Sequence, residues 1–381
     1  MNTASWSHYN PVRVIFRAGV LQHIADYVDA TRVALVTTPG FRRRGIVDTI
    51  SDALGSRLIA IVDDVKPNPG VDDLEIQSAR LRAEHPDTLI ALGGGSTIDT
   101  AKALARLLTE AEGTSLMSLV REGAAATTAA AVPVVAIPTT AGTGAEVTPF
   151  GTVWDHAAKV KYSIAGQDLY PKLAILDPEL TRELPAEITV ASGLDAISHA
   201  LESTWNRNAT PVTLGLATKS LQLSMQSLAA ATENPDNIEA RAGMMQASML
   251  AGLAISQSRT ALAHSISYPL TANFNLPHGL ACSFTLPALL TFNSEVDDGR
   301  LAHLARAVGY AGTDDLAVEL TALFQRLGIG TILTRYLPDR SSILALSDQM
   351  FAPGRAENNL REATEDQVSA LVTDSLDTLG L

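Results

Sequence analysis

The sequence predicts an α/β domain with a parallel sheet over residues 1–180, followed by an all-α domain over residues 181–381. Three observations support this fold class. In the first half, short apolar runs rich in β-branched residues alternate with amphipathic stretches of helical periodicity. Strands that are apolar throughout are typical of a parallel sheet buried on both faces. In the second half, long segments rich in Ala, Leu and Met replace the strands.

The elements follow in order, and their character changes at a polar, proline-containing stretch, residues 177–185. Before it, strands are predicted at residues 33–36, 58–62, 89–92 and 134–137, with helices near residues 45–54, 72–84 and 98–108. After it, helices are predicted near residues 192–205, 212–231, 238–256 and 301–308.

Composition limits the class of protein. The 381 residues carry a formal net charge of −13, with 28 Lys and Arg against 41 Asp and Glu. A protein that binds nucleic acid or a membrane surface needs a basic surface, so neither partner is expected. The single cysteine, Cys282, excludes an intrachain disulfide framework and Cys-rich metal sites. With no membrane span or secretory leader apparent, the composition predicts a cytoplasmic enzyme.

A glycine-rich loop follows the third predicted strand. Gly93, Gly94 and Gly95 lie between this strand and a helix that opens at Ser96. Glycines let a ligand approach the backbone closely, and a helix N-terminus favours a pyrophosphate. The loop matches neither the spaced dinucleotide fingerprint nor the phosphate loop that ends in Gly-Lys-Ser/Thr. Phosphate binding and a simple tight turn are both open readings of this loop alone.

A second loop of related character follows the fourth strand. It supplies the hydroxyls of Thr139, Thr140 and Thr143 between small residues. Ligands of an open parallel sheet bind outside the C-terminal ends of its strands, where both loops would lie. Two such loops favour a dinucleotide site. Lys159 and Lys161 follow and either meet the cofactor or belong to a solvated strand face.

Four side chains in the second half can bind a metal. Asp195 and His199 are four residues apart and share one face of a helix. His264 lies in a later helix, and His278 follows a proline at the start of another. One carboxylate and three imidazoles suit a borderline divalent metal, with zinc as the chemical default. Taken singly, each residue is more often a buried polar side chain or a helix cap, but the presence of all four in one half of the chain favours a metal site.

Five motifs occur in order: GGGSTIDTAK from residue 93, PTTAGTGAE from residue 138, DPEL from residue 177, GLDAISHALES from residue 193 and LPHG from residue 276. Together they resemble the iron-containing, or group III, alcohol dehydrogenases over nearly the whole chain. The resemblance implies a Rossmann-like NAD(P)-binding domain, an all-α domain and a metal in the cleft between them, an architecture shared with dehydroquinate synthase.

The resemblance also implies site residues. It makes the metal Fe²⁺ rather than Zn²⁺, although Zn²⁺ stays possible, and assigns it the ligands Asp195, His199, His264 and His278. The resemblance also implies that the nicotinamide cofactor contacts seven residues: Gly94, Gly95, Ser96, Asp99, Thr139, Thr140 and Lys161.

The chain departs from the family pattern at Tyr268, where many members carry a histidine that relays a proton. A phenol donates a proton but, with an ordinary pKa near 10, is a poor base at neutral pH. Tyr268 is therefore the predicted catalytic proton donor, and aldehyde reduction is the favoured direction.

A second departure is at Thr38, where NAD-selective members often have an aspartate. Thr38 is predicted to contact the cofactor, and Arg42, Arg43 and Arg44 follow it. Arginine accommodates the 2′-phosphate of NADPH, so both NADH and NADPH are expected. Three solvent-facing arginines are the alternative.

A third departure surrounds the substrate. Arg259 and Thr260 precede His264, and Arg355 and Asn358 lie in the segment PGRAENNLREAT. These four are the predicted substrate-binding residues, because a guanidinium with neighbouring amides and hydroxyls suits a phosphonate or carboxylate. A surface salt bridge is an equal reading of Arg259. Lys102, Lys161, Arg259 and Arg355 are expected to make a locally cationic pocket in this acidic protein.

The motif from residue 264 to residue 287 is most similar to the phosphonoacetaldehyde reductases of the family. The predicted activity is therefore NAD(P)H-linked reduction of a small anionic aldehyde, phosphonoacetaldehyde, to 2-hydroxyethylphosphonate by a homodimer. A general short-chain alcohol dehydrogenase, of propanediol or butanol type, is the alternative. A dehydroquinate-synthase-like lyase and a non-catalytic nucleotide-binding protein are further alternatives.

Overall fold

The computed structural model describes residues 5–122, 130–352 and 354–381. Within these ranges the chain forms two compact units. We call residues 10–140 and 144–181 the α/β unit, and residues 5–9, 141–143 and 182–381 the helical unit. The predicted first domain, residues 1–180, included two short segments, 5–9 and 141–143, that the contacts assign to the helical unit.

The described strands all lie in the α/β unit. They are β1 (Arg13–Phe16), β2 (Val33–Thr37), β3 (Leu58–Val62), β4 (Thr88–Gly93), β5 (Val134–Pro138), β6 (Phe150–Asp155), β7 (Val160–Ala165) and β8 (Leu173–Leu176). A parallel six-stranded sheet has the order β1-β8-β5-β4-β2-β3. Strands β6 and β7 form a separate antiparallel hairpin. The predicted parallel sheet is confirmed.

The sheet is buried on both faces. On β2, Val33 and Leu35 belong to one hydrophobic cluster, and Ala34 and Val36 belong to another. This alternation follows from the two-residue period of a strand and explains why the strand is apolar throughout. The helices of this unit are α1 (Pro39–Arg43), α2 (Ile46–Leu54), α3 (Val71–Arg82), α4 (Gly95–Leu107) and α5 (Leu116–Glu122).

The helical unit begins its long helices with α6 (Ala186–Thr204), α7 (Pro211–Glu233) and α8 (Ile238–Ser258), which pack against one another. Shorter helices follow: α9 (Leu262–Phe274), α10 (His278–Ala281), α11 (Leu286–Ser294), α12 (Arg300–Ala307), α13 (Thr313–Arg326), α14 (Ile329–Leu333), α15 (Arg340–Leu344) and α16 (Glu365–Thr378). The predicted all-α second part is confirmed. Among the described helices, none has the length and apolar character that crossing a membrane requires.

Capping explains where two of these helices start. Thr210 and Thr364 each form a capping box with the residue three positions later, at the starts of α7 and α16. The side-chain oxygen satisfies a backbone N–H that has no partner inside the helix. Pro211 occupies the first position of α7, where a missing N–H costs nothing.

Candidate metal and cofactor sites

The four predicted metal-binding side chains come from three helices of the helical unit. Asp195 and His199 lie one turn apart on α6, His264 is in the first turn of α9, and His278 is the first residue of α10. Asp195, His199 and His264 are buried, whereas the side chain of His278 is 33% exposed. His278 is therefore the solvent-facing member of the set.

The donor atoms converge on one carboxylate oxygen. Asp195 Oδ1 lies 3.4, 3.6 and 4.0 Å from the Nε2 atoms of His199, His264 and His278. The Nε2 atoms of His199 and His264 are 3.1 Å apart. Ligands about 2.1 Å from a tetrahedral divalent ion lie roughly 3.4 Å from one another. The distances from Asp195 to the three rings, and between His199 and His264, therefore fit one such ion.

Hydrogen bonds behind two of the rings direct their Nε2 lone pairs to this point. His199 Nδ1 lies 3.3 Å from the carbonyl oxygen of Gly142, which only accepts, so Nδ1 carries the hydrogen. His264 Nδ1 donates to Glu202 Oε2, and the backbone N–H of His264 donates to Glu202 Oε1 at 3.1 Å. In both rings Nε2 is then the lone-pair atom that a metal needs.

Glu202 is absent from the sequence predictions. It is fully buried on α6, one turn after His199 and two turns after Asp195. The sequence feature that could have identified Glu202 is a carboxylate at that spacing in an otherwise apolar helix. Asp195 and Glu202 together place two negative charges in a buried site. A divalent cation balances that charge, so the donor set also fits the metal electrostatically.

The thiol of Cys282 lies beside the four predicted ligands. Among the described residues, donor atoms of Asp195, His264, His278 and Cys282 lie within 4.8 Å of one another. Cys282 Sγ donates to Asp195 Oδ1 at 3.4 Å. Burial raises the pKa of the thiol well above its ordinary value. The neutral thiol is thus a hydrogen-bond donor to the carboxylate on which the imidazoles converge.

The pKa values of Asp195 and His264 indicate a centre that favours positive charge, whereas that of His199 favours a neutral ring. Burial raises the pKa of Asp195, but the three histidines outweigh burial and hold this pKa below its usual range. Burial lowers the pKa of His199. Burial also lowers the pKa of His264, and the carboxylates of Glu202 and Asp195 outweigh it and raise the pKa to about 10. Without an ion His264 therefore also holds a proton on Nε2, and a metal ion would bind Nε2 in place of that proton.

Helix α10 packs directly on α6 because residue 279 is glycine. A Cβ at Gly279 would lie 1.8 Å from the carbonyl oxygen of Ala191, which no side chain tolerates. His278 immediately precedes this contact and is therefore held beside Asp195.

The predicted proton donor contacts a predicted substrate residue. Tyr268 lies one turn after His264 on α9, and Arg355 Nε donates to its Oη at 3.2 Å. Both side chains are partly buried. In this bond Oη is the acceptor, so the contact with Arg355 does not use the phenol hydrogen.

The other predicted substrate residues make structural contacts. Asn358 Nδ2 donates to the carbonyl oxygens of Thr260 and Gly354 at 2.9 and 3.0 Å. Arg259 ends α8 with φ 67° and ψ 174°, a region that is essentially restricted to glycine. Its carbonyl oxygen accepts from Asn206 Nδ2 at 3.1 Å, which helps to hold that conformation. Substrate binding by Thr260, Arg259 and Asn358 stays a prediction.

In the α/β unit the two glycine-containing loops touch each other. Gly94 caps α4 and Gly95 is its first residue. A Cβ at Gly94 would lie 3.0 Å from Thr140 Oγ1, so the missing side chain admits the second loop. The backbone N–H of Thr139 donates to the carbonyl oxygen of Gly93 at 3.1 Å. The predicted phosphate loops thus meet at the C-terminal ends of β4 and β5.

The remaining predicted cofactor residues surround the start of α4. Ser96 Oγ accepts from the backbone N–H of Asn68 at 3.2 Å. The carboxylate of Asp99 accepts from the backbone N–H of Thr152 at 2.9 Å, and this ties α4 to β6. Burial raises the pKa of Asp99, and Lys102, the backbone N–H of Thr152 and, least of all, Lys161 on β7 oppose this rise.

Lys102 has a structural role instead of the predicted one. It is fully buried, and its Nζ donates to the carbonyl oxygens of Ala145, Thr148 and Phe150 at 2.7, 2.8 and 2.8 Å. Burial lowers its pKa to about 8. The expectation that Lys102 contributes to a cationic pocket is wrong, because carbonyl groups of the fold take its hydrogens.

The arginines in the segment after β2 differ in their contacts. Thr38 caps α1 with extended backbone. Arg42 forms an ion pair through Nε with Asp63, which follows β3. The guanidinium of Arg44 lies 4.2 Å from the centre of the Phe41 ring. Arg42 and Arg44 therefore make different contacts, which the sequence alone did not distinguish.

Comparison with protein families matches both halves of the chain. Residues 11–178 match the family described as iron-containing alcohol dehydrogenase, and residues 189–376 match the C-terminal part of the Fe-containing alcohol dehydrogenase family. The chain therefore belongs to the iron-containing alcohol dehydrogenase family. It is an oxidoreductase of the alcohol dehydrogenase and aldehyde reductase type.

Curated relatives differ in their named substrates. The sulfoacetaldehyde reductase of Bilophila wadsworthia is 30% identical over 381 residues, 96% of this chain and 97% of that protein. The phosphonoacetaldehyde reductase of Streptomyces viridochromogenes is 38% identical over 279 residues, 72% and 70% of the two chains. The 1-propanol dehydrogenase of Salmonella typhimurium is 36% identical over 287 residues, 74% and 73%.

Solved structures give the same fold. The sulfoacetaldehyde reductase from Bifidobacterium kashiwanohense, in complex with NAD+, has a TM-score of 0.92 and 30% identity, covering 98% of this chain and all of that one. A 1,3-propanediol oxidoreductase has a TM-score of 0.89 and 28% identity over similar coverage.

Proposed function

We propose that this chain reduces a small anionic aldehyde to its primary alcohol with NADH or NADPH, and that the aldehyde is phosphonoacetaldehyde and the product 2-hydroxyethylphosphonate. Two relatives named for two-carbon aldehydes with an anionic group, one a sulfonate and one a phosphonate, support this substrate class. The observation that carries the proposal is the contact between Arg355 and Tyr268 one turn after His264.

Asp195, His199, His264 and His278 would hold the metal, Fe²⁺ by family membership and Zn²⁺ as the alternative. When bound, such an ion supplies Lewis-acid polarisation of a carbonyl oxygen. The chain's own contribution is preorganisation. Glu202 fixes the His264 ring with Nε2 facing the site.

The start of α4 and the loop after β5 would bind the dinucleotide, whose dihydronicotinamide supplies the hydride. Gly94, Gly95 and Ser96 present backbone N–H groups and a helix N-terminus to the pyrophosphate. Thr139 and Thr140 border the same position, because their loop contacts the first one. Asp99 and Lys161 complete the proposed set from α4 and β7, and Thr38 from the end of β2.

Tyr268 would supply the proton and Arg355 would bind the anionic group. A cation that donates to Oη stabilises the phenolate that remains after proton transfer. A guanidinium also presents further N–H groups to a phosphonate or sulfonate. The same arginine would therefore orient the substrate and assist its proton donor.

The test compares Arg355→Ala with wild-type enzyme on phosphonoacetaldehyde, sulfoacetaldehyde and propionaldehyde. We expect kcat/KM for the two anionic aldehydes to fall roughly 10- to 100-fold more than for propionaldehyde, because only they lose a charge-assisted hydrogen bond. Arg326→Ala, on an exposed ion pair of α13, is the matched control. An equal loss on all three aldehydes would remove the anion-binding role.

A general short-chain alcohol dehydrogenase is the second candidate, because the 1-propanol dehydrogenase relative is 36% identical. Such an enzyme would turn over propionaldehyde more efficiently than either anionic aldehyde in the same assay. The homodimer and the cytoplasmic location stay predictions.

A further inference from the structure

The side-chain amide of Asn358 connects two backbone carbonyl groups of the helical unit. Its Nδ2 donates to the carbonyl oxygens of Thr260 and Gly354 at 2.9 and 3.0 Å. Its Oδ1 accepts from Asn208 Nδ2 at 3.3 Å. Carbonyl oxygens only accept hydrogen bonds, so Nδ2 must face them, and these two bonds use both hydrogens of the amide. The contacts of Asn358 therefore indicate that it positions other groups instead of binding the substrate itself.

The carbonyl oxygen of Gly354 joins Asn358 to Arg355. This oxygen also accepts from Arg355 Nη1 at 2.8 Å, so two side chains share it. Gly354 has a φ of 72°, a left-handed conformation that glycine adopts at little cost. The turn at Gly354 thus presents one acceptor to both side chains. Because Asn358 holds that carbonyl group, loss of its amide would loosen the acceptor on which Arg355 Nη1 depends.

The guanidinium of Arg355 is held through two of its nitrogens. Nη1 donates to Gly354, and Nε donates to Tyr268 Oη at 3.2 Å. These bonds use two of the five N–H hydrogens and leave three for other partners, such as an anionic group. A guanidinium binds a phosphonate or sulfonate best through two parallel N–H groups, which requires a fixed orientation of its plane. The bond to Gly354 therefore affects how well Arg355 can bind such an anion.

The backbone of Asn358 is itself attached next to the helices that carry the candidate metal ligands. The backbone N–H of Arg207, three residues after α6 ends, donates to the carbonyl oxygen of Asn358 at 2.8 Å. Thr260, whose carbonyl oxygen the amide reaches, lies four residues before His264. Asn358 is thus fixed by its backbone and by its side chain, and it can hold Arg355 at a constant place relative to the site.

We propose that Asn358 is a positioning residue that, through the carbonyl group of Gly354, holds Arg355 in the orientation that selects anionic aldehydes. The inference rests on the proposed function, in which Arg355 binds the anionic group of the substrate. It adds the side chain that fixes this arginine, and it gives Asn358 an indirect role in place of the direct substrate contact that the sequence predicted.

The test is a double-mutant cycle of Asn358→Ala and Arg355→Ala, with kcat and KM measured on phosphonoacetaldehyde, sulfoacetaldehyde and propionaldehyde. We expect Asn358→Ala to lower kcat/KM for the two anionic aldehydes roughly 5- to 30-fold, mainly through a higher KM. The value for propionaldehyde should change less than about threefold, because this substrate has no anionic group to bind. In the Arg355→Ala background, Asn358→Ala should have less than about a twofold effect, because the side chain that it positions is gone.

Asn273→Ala is the matched control. Asn273 is exposed near the end of α9, and its Nδ2 also donates to a backbone carbonyl oxygen, that of Pro269. This variant should keep the aldehyde preference of wild type. Metal content and thermal unfolding are measured for every variant. If Asn358→Ala does not fold, Asn358→Ser repeats the measurement, because a hydroxyl has one hydrogen and cannot donate to both carbonyl oxygens.

Two results would overturn the inference alone, provided that Arg355→Ala still weakens turnover of the anionic aldehydes selectively. One is an unchanged aldehyde preference in Asn358→Ala. The other is an equal loss on all three aldehydes in both backgrounds, which a purely structural role of Asn358 predicts. If Arg355→Ala loses the same activity on all three aldehydes, the anion-binding role of Arg355 fails and the inference fails with it. If wild type reduces neither anionic aldehyde, the proposed substrate class and the inference both fail.

Discussion

Two buried clusters of charged side chains, one in each unit, differ in what balances their charge. In the α/β unit, Lys102 lies near the carboxylates of Asp99 and Glu146, and its Nζ is surrounded by carbonyl oxygens. In the helical unit, the carboxylates of Asp195 and Glu202 are surrounded by histidine rings whose Nε2 lone pairs converge. The first cluster contains its own cation, the ammonium group of Lys102. The second cluster is a set of side chains that can bind a metal cation.

A buried structural charge cluster and a metal site differ in their hydrogen bonds. Buried charge is costly in both, and hydrogen bonds or ions must compensate for it. An ammonium group that donates to three carbonyl oxygens has no hydrogen left for a ligand. Imidazoles that direct their N–H groups outward, to Gly142 and Glu202, keep their lone pairs inward. The direction of the hydrogen bonds, rather than the number of charges, separates the two.

The largest effect is expected when a ligand is removed from the second cluster. His264→Ala should lower bound metal and turnover together by at least about a hundredfold, because it removes an imidazole ligand and leaves Glu202 Oε2 without its ring donor. Metal content after gel filtration and kcat are measured on the same sample. His303→Ala, an exposed histidine of α12, should retain both. Full activity of a metal-free His264→Ala protein would refute the metal site.

Lys102→Met tests the first cluster. The change leaves three carbonyl oxygens and two carboxylates without their cation, so we expect about 3–5 kcal/mol of lost unfolding free energy. Urea denaturation measures it, with exposed Lys219→Met as the control. Metal content per folded molecule should not change. A loss below about 1 kcal/mol would show that Lys102 does not hold the cluster together.

Glu202→Gln asks whether the outward hydrogen bonds matter. A glutamine amide cannot accept from both the ring and the backbone of His264 as the carboxylate does. Metal affinity, measured by competition with a chelator, should fall about 10- to 100-fold. Exposed Glu239→Gln on α8 is the control. Unchanged affinity in Glu202→Gln would mean that His264 is positioned by packing alone.

The smallest effect is a pH dependence at Glu146. Burial raises its pKa from 4.5 to about 7 in the folded chain. Between these values the folded state binds more protons than the unfolded state, so this group lowers stability as pH rises from about 4.5 to 7. Glu146→Gln removes the ionisable group and therefore the loss of stability that accompanies its ionisation. Relative to wild type, the variant should gain roughly 1–3 kcal/mol of unfolding free energy between pH 5 and pH 8. A difference independent of pH would contradict the shift.

Local periodicity predicted the regular elements well. The strand predicted at residues 134–137 is Val134–Pro138, and the helix predicted at residues 238–256 is Ile238–Ser258. The four-residue strands β1 and β8 were not predicted. They pair with each other across roughly 160 residues of sequence, and such distant pairing has no local signature. The hairpin of β6 and β7 lies between loops and was seen only as a strand face around Lys159 and Lys161.

The sequence predicted which residues belong to the metal site better than it predicted which atoms they contact. The spacing of Asp195 and His199 places both on one helix face, so their proximity follows from the sequence. His264 and His278 join them through tertiary packing; residue type alone made them candidate ligands, and the family resemblance assigned them to the same metal. The roles of Glu202 and Lys102 depend on which atoms their hydrogen bonds reach, and composition carries no information about that.

The pairing of β1 with β8 has a consequence for synthesis on the ribosome. Arg13 pairs with Leu173, so the edge of the sheet stays open until the ribosome has produced the last strand. At 5–20 residues per second this delay is roughly 10–30 s. During that time the first residues of the chain must remain unpaired without aggregating. The two end residues of β1, Arg13 and Phe16, are exposed in the fold, and the charge of Arg13 opposes the aggregation that the apolar residues of the strand favour while it waits to pair.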